Sequence, residues 1–131
     1  MRRALVKGLC GALLACALAA CATQDAVAPP PAVKGYIIAE ISVTDPAGYE
    51  AYKAAVAPMV ARFGGRYLVR GGQVTPKEGA APSGRVVVLE FESYAAAQTF
   101  FDSSAYQAIM HLRTHNATSR LFIVEGIAPA P

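Results

Sequence analysis

Two segments of this 131-residue chain alternate so regularly that they limit the fold before any other feature is considered. In GYIIAEISV (Gly35 to Val43), Ile37, Ala39, Ile41 and Val43 fall on one side, and Tyr36, Ile38, Glu40 and Ser42 on the other. In RVVVLEFE (Arg85 to Glu92), Val87, Leu89 and Phe91 oppose Val86, Val88 and Glu90. A period of two is the signature of a strand whose faces meet different surroundings, so each strand belongs to a sheet with one packed face and one that differs from it. A helix signal follows each. Asp45 and Pro46 supply an N-cap and a first-turn proline, and Tyr49, Tyr52, Val56, Val60 and Phe63 then recur at helical spacing until Gly64, where a left-handed C-cap is wanted. Pro58, inside this pattern, is expected to kink the helix or to cost it the bond to Ala54. Ser93 can cap a second helix through YAAAQTFFDS, and Ser103 or Ser104 a third running to Asn116.

RYLVR (Arg66 to Arg70) and RLFIVEG (Arg120 to Gly126) complete the set of strands, and a stretch rich in glycine and proline from Gly71 to Gly84 forms an irregular loop. The order is strand, helix, strand, strand, helix pair, strand. This predicts an α+β ferredoxin-like split βαβ sandwich: a four-stranded antiparallel sheet with helices on one side only. The uncovered face is expected to carry Tyr36, Ile38, Glu40, Arg66, Leu68, Arg70, Val86, Val88 and Glu90, with Arg66 and Arg70 side by side. Such a face is too apolar to remain wet, and burying it against a copy of itself gives a homodimer. The carboxylates of Glu40 and Glu90 would then meet the two guanidiniums, which suit buried bidentate pairing better than an ammonium does.

Residues 1–20 read as an export signal, with Arg2, Arg3 and Lys7 ahead of an apolar run too short to span a bilayer, which takes about 20 residues. LAAC (Leu18 to Cys21) resembles the lipoprotein cleavage box, which implies a lipidated Cys21 as the first residue of the mature chain. The alternative is an ordinary cleaved signal with an incidental cysteine. RRALVK also partly matches a twin-arginine export motif, without its usual Phe or preceding Ser or Thr. Residues 21–33 form a tether of alanine and proline, 34–127 one domain of about 95 residues, and 128–131 a short tail. Loss of the signal removes three of the twelve Lys and Arg, leaving nine against nine Asp and Glu. No basic stripe remains for nucleic acid. Cys10 and Cys16 leave as well, so one mature chain can form neither a disulfide nor a cysteine metal site. The implied destination is the bacterial envelope, lipid-anchored and facing the periplasm; Ala22 rather than Asp after Cys21 favours the outer membrane.

The segments GYIIAEISVTDPAGYEAYKAAVAP, FGGRYLVRGG and RVVVLEFESYAAAQTFFDSSAYQ, with LR before a final IVEG, resemble the bacterial domain of unknown function 1330 family of the dimeric α/β barrel superfamily. The resemblance covers Gly35 to Gly126. It implies two ferredoxin-like sheets packed face to face and no particular activity. The family-typical positions are Arg66, Arg70, Gly71, Gly72, Glu90, Phe91, Asp102, Tyr106 and Arg113. The chain departs from the pattern at Phe101, where Trp is common, and at Ser104, where Pro is usual. His111 and His115 have no counterpart in it.

Three groups could carry chemistry. Arg66, Arg70 and Glu90 form either an anion site or an interfacial salt-bridge network. Tyr106, Arg113 and Asp102 either line a pocket mouth or serve as a packing anchor and a helix cap. His111 and His115 share one helix face, but two imidazoles alone do not make a metal site, and no metal or other cofactor is implied. The expected function is small-ligand binding or an accessory role, with a small anion as the ligand the guanidiniums suit. The alternative is an enzyme that uses the barrel pocket without a cofactor, resembling small monooxygenases and isomerases in architecture alone.

Overall fold

The computed structural model describes residues 32–129. The expected export signal, Cys21 and nearly all of the tether lie outside the described residues. The elements follow the order β1 (Gly35–Val43), α1 (Pro46–Arg62), β2 (Arg66–Arg70), β3 (Arg85–Phe91), α2 (Tyr94–Asp102), α3 (Ser104–Thr114) and β4 (Ala117–Glu125). The four strands make one antiparallel sheet in the order β2-β3-β1-β4, which is the ferredoxin-like α+β arrangement. No described helix is long and apolar enough to cross a membrane.

Local chemistry sets the helix boundaries. The Asp45 carboxylate accepts from the Ala47 amide at 3.1 Å, and the Ser93 and Ser103 hydroxyls accept from the amides of Ala96 and Tyr106 at 3.0 and 3.1 Å. Each satisfies an amide that the first helical turn leaves unpaired. Gly64, at φ 73°, lets the chain leave α1 through the left-handed region. Pro58 does not end α1; it removes one amide from the ladder at an exposed position, where water can take the freed carbonyl. α3 stops at Thr114, and β4 begins at Ala117 rather than at the expected Arg120. The polar residues Thr118 and Ser119 read as a turn, yet they pair with Ser42 and Ile41 because β1 is long enough to hold them.

The core lies between the sheet and the helices. Ile37, Ala39 and Ile41 of β1 and Leu89 and Phe91 of β3 face Tyr49, Tyr52, Val56 and Val60 of α1. Phe100 joins the layers, with ring centroids 5.2 Å from Phe91, 5.0 Å from Tyr106 and 5.6 Å from Phe63. Such pairs add about 0.5–1.5 kcal/mol each beyond the area they bury.

One register detail overturns an expectation. β2 pairs with β3 as Arg66 with Glu90 and Tyr67 with Leu89, then resumes with Val69 opposite Val88 and Arg70 opposite Val87, so Leu68 is an extra residue in a β-bulge. In a regular strand residues four apart share a face; one inserted residue reverses the parity beyond it. Arg66 therefore stays on the helix-free face, opposite Glu90, while Arg70 turns to the helix side with Val87.

The bulge makes Leu68 dispensable to the register. Deleting Leu68 is expected to leave both arginines on their present faces and to cost no more than about 1 kcal/mol in chemical denaturation. A loss of several kcal/mol would mean that Leu68 occupies a ladder position.

Candidate functional site

Between the sheet and α1 and α3 lies a cavity of about 40 Å³. That exceeds the roughly 10–15 Å³ needed to admit a water molecule and falls well short of the 300 Å³ or more typical of drug-sized ligands. Its walls are aliphatic toward the sheet, from Ile37, Ala39, Ile41, Val87 and Leu89, and aromatic toward the helices and β2, from Tyr49, Tyr52, Tyr67, Phe100, Phe101 and Tyr106. Arg70, Arg85 and Arg113 also line it, with Lys53.

Arg113 is the unusual member. It is the only charged side chain buried among the described residues, at 6% exposure. Its Nη1 donates to Ser119 Oγ, while its Nε is buried without a protein acceptor. Arg85 Nε is likewise buried and unpaired, and Arg85 Nη2 reaches only the carbonyl of Arg70, at 3.4 Å. No carboxylate lines the cavity. Desolvated guanidinium without a counter-charge is costly to the fold, so the arrangement is poor as structural glue and well suited to receiving an anion.

Aromatic rings separate the cations. The Arg70 guanidinium sits 4.4 Å from the Tyr67 ring centroid, and that of Arg85 5.8 Å from Tyr49. The quadrupoles of these rings offset part of the missing counter-charge. Burial raises the Tyr49 phenol, against the pull of Arg85 and Arg113, and raises Tyr67 against Arg70 and Arg85. Tyr52, its hydroxyl 3.2 Å from that of Tyr106, is raised furthest, by desolvation and then by Tyr106.

Gly71 shapes the rim. Its amide donates to the Val86 carbonyl at 2.7 Å, its φ is 72°, and a β-carbon there would press on Arg85 Nε at 3.0 Å. The glycine after the strand therefore lets Arg85 fold back across the end of β2.

The chain belongs to the DUF1330 family. The model of this domain of unknown function matches residues 34–127. The fold is similar to RPA0582, a protein of unknown function from Rhodopseudomonas palustris, at 19% identity and TM-score 0.55, covering 78% of this chain and 88% of that one. The methylated form of RPA0582 gives 19% identity and 0.57, over 79% and 88%. SnoaB, a cofactor-independent oxygenase from Streptomyces nogalater, superposes more loosely, at 16% identity and 0.49, over 76% and 99%. No functionally curated protein matches the sequence.

Within this DUF1330 domain the residues singled out from the sequence divide between two places. Arg70, Tyr106 and Arg113 meet at the cavity. Arg66 and Glu90 do not: they form an ion pair of 2.8 Å on the helix-free face, where Glu40 pairs with Arg120 at 2.7 Å rather than with Arg70. Both carboxyls are held below the usual range, each first by its arginine's hydrogen bond. Their contribution to stability is therefore full at neutral pH and is lost on acidification. Asp102 ends α2, exposed and away from the cavity. His111 and His115 are exposed, their rings 5.9 Å apart, and among the described residues no three His, Cys, Asp or Glu gather as a metal site.

Arg85, Tyr49, Tyr52, Tyr67 and Lys53 belong to the site and were not expected there. Arg85 was legible, since it shares the parity of Val87, Leu89 and Phe91 and is thus a cation on the packed face. The tyrosines carried no such signal, because an aromatic residue at helical spacing reads as core.

Two outcomes follow. Arg113→Met keeps an unbranched, flexible apolar stem and removes the unpaired charge, so it is expected to leave thermal stability unchanged or to raise it, by up to about 4 kcal/mol. A loss of several kcal/mol on denaturation would make Arg113 structural. Above pH about 10 the unfolded chain releases the Tyr52 proton while the native chain keeps it, so stability falls as pH rises, by about 1.4 kcal/mol per unit for this residue. Tyr52→Phe is expected to flatten the alkaline limb of a stability–pH profile relative to the unsubstituted chain.

Proposed function

We propose that this DUF1330 chain is an envelope lipoprotein whose domain works as a homodimer and binds a small organic anion in the cavity between sheet and helices. The observation that carries the ligand reading is the set of three guanidiniums, two with buried unpaired Nε groups, around a cavity without a carboxylate. The lining offers phenols and guanidiniums but neither carboxylate nor imidazole, which favours holding an anion over abstracting a proton from a substrate.

Support for the dimer comes from the helix-free face. Val69, Phe122 and Val124 there are 40%, 42% and 39% exposed, flanked by Arg66 with Glu90 and Arg120 with Glu40. Apolar strips bordered by paired charges suit self-association, since each ion pair can stay intact when a second copy covers the face. The lipid anchor rests on the LAAC box alone. Through Cys21 and the tether that follows, the domain would stand clear of the membrane surface.

Native mass spectrometry of the full chain, extracted gently from its own host, tests the reading. The expected result is a dimer carrying a discrete small adduct that the Arg113→Met chain lacks; a bare chain that stays bare when host metabolite extract is added overturns it. Phe122→Glu is expected to shift the same spectrum from dimer to monomer, and Cys21→Ser to move the chain from the membrane to the soluble fraction.

A further inference from the structure

Resting on that binding reading, we infer that the ligand is a small aromatic carboxylate, held as its anion with the carboxylate toward Arg113 and Arg85 and the ring against the tyrosine wall. Three observations converge on this class.

The first is donor type. Arg113 and Arg85 each present a buried Nε–H without a protein acceptor, and Arg113 is itself more than nine-tenths buried. A carboxylate offers two acceptor oxygens in the plane in which guanidinium donates, whereas a neutral amide or alcohol brings no negative charge. Unpaired desolvated donors of this kind discriminate strongly, because a ligand without the matching acceptor leaves them unsatisfied.

The second is the order of groups. The Tyr49 ring stands 5.8 Å from the Arg85 guanidinium and the Tyr67 ring 4.4 Å from that of Arg70, with the buried Arg113 in the same cavity wall. The cations and rings thus alternate from the interior to the rim as Arg113, Tyr49, Arg85, Tyr67 and Arg70, with Arg70 exposed at the outer end. An anionic group and a planar ring on one molecule can use both kinds of neighbour, the ring stacking on aromatic faces while the carboxylate meets a guanidinium.

The third is size and charge count. The cavity of about 40 Å³ admits the carboxylate end of a small ligand rather than a whole ring, so the ring lies toward the mouth, beside Tyr67 and the exposed Arg70. Lys53 is engaged by Glu50 at 2.6 Å, so the uncompensated charge comes from the arginines alone, with Arg70 left for a substituent at the rim.

The test is isothermal titration of the full chain with benzoate, benzamide and acetate, repeated on Arg113→Met and Arg85→Gln. Benzoate is expected to bind at least tenfold more tightly than either of the others, and each substitution to weaken benzoate at least tenfold while leaving benzamide unchanged. Benzamide binding as tightly as benzoate overturns the carboxylate assignment and leaves the binding cavity standing. Acetate matching benzoate overturns the aromatic part in the same way. Binding of none of the three overturns the aromatic carboxylate assignment alone, since the cavity as a ligand site stands or falls with the adduct in the native mass spectrum. The comparison of benzoate with benzamide needs no variant, so it decides even if a substituted chain fails to fold.

Discussion

Everything in this domain depends on the fact that its sheet is covered on one side only. β1 is paired along both edges, to β3 and to β4, so the parity of one nine-residue strand fixes which residues of its neighbours enter the core. Ile37, Ala39 and Ile41 go to the helices with Leu89, Phe91, Leu121 and Ile123; Tyr36, Ile38 and Glu40 go to the other face with Val88, Glu90, Arg120 and Phe122. Because the side-chain period is two, no residue can be moved between these roles without breaking the ladder or inserting a bulge. The bulge at Leu68 makes that one permitted exchange, at the edge strand, where the ladder has least to lose. It takes Arg70 out of a face that already balances its charges and turns it toward a cavity that does not.

The two faces treat charge in opposite ways, and this separates the proposed interface from the proposed site. On the helix-free face each acid has its own base, and the exposed guanidiniums of Arg66 and Arg120 meet the largely covered side chains of Glu90 and Glu40, at 12% and 19% exposure. Charges arranged so can be covered by a partner with little loss, because each pair stays intact when water leaves. On the helix side the guanidiniums stand among rings and aliphatic carbon, and no carboxylate lines the cavity they share. The balance of nine Lys and Arg against nine Asp and Glu over residues 21–131 hides this segregation completely.

How much could be read from the sequence follows from which signals are local. The element order, the caps at Asp45, Ser93 and Ser103, and the turn at Gly64 were legible because each depends on a few neighbouring residues and an elementary steric or hydrogen-bonding need. So was the helix-free face of β1 and β3. The face of Arg70 was not, since nothing in RYLVR marks Leu68 as an extra residue: the bulge arises from the pairing of β2 with β3 across a loop. Tyr106 and Arg113 were picked out by family resemblance and sit seven apart on α3, two helical turns, so their shared direction was implicit in the spacing. Tyr49 and Tyr52 were read as core, and they are core; their second role as cavity wall depends on what stands opposite them.

That double role bears on why the cavity persists. A 40 Å³ gap beside Phe100 and Leu89 forfeits dispersion contacts, and one larger apolar residue in place of Arg113 would close part of it. The fold instead sets a long cation there, held at one end by Ser119 and screened by phenol rings whose own hydroxyls pair with each other, Tyr52 to Tyr106. Every step of this arrangement spends stability on keeping donors dry and oriented, as the proposed anion site requires. A site prepared in this way loses little on binding, because its reorganisation has been done during folding. The same preparation would be wasted in a domain whose helix side served only to pack, and that asymmetry between cost and structural benefit is the strongest physical reason to place function in the cavity rather than on the sheet's open face.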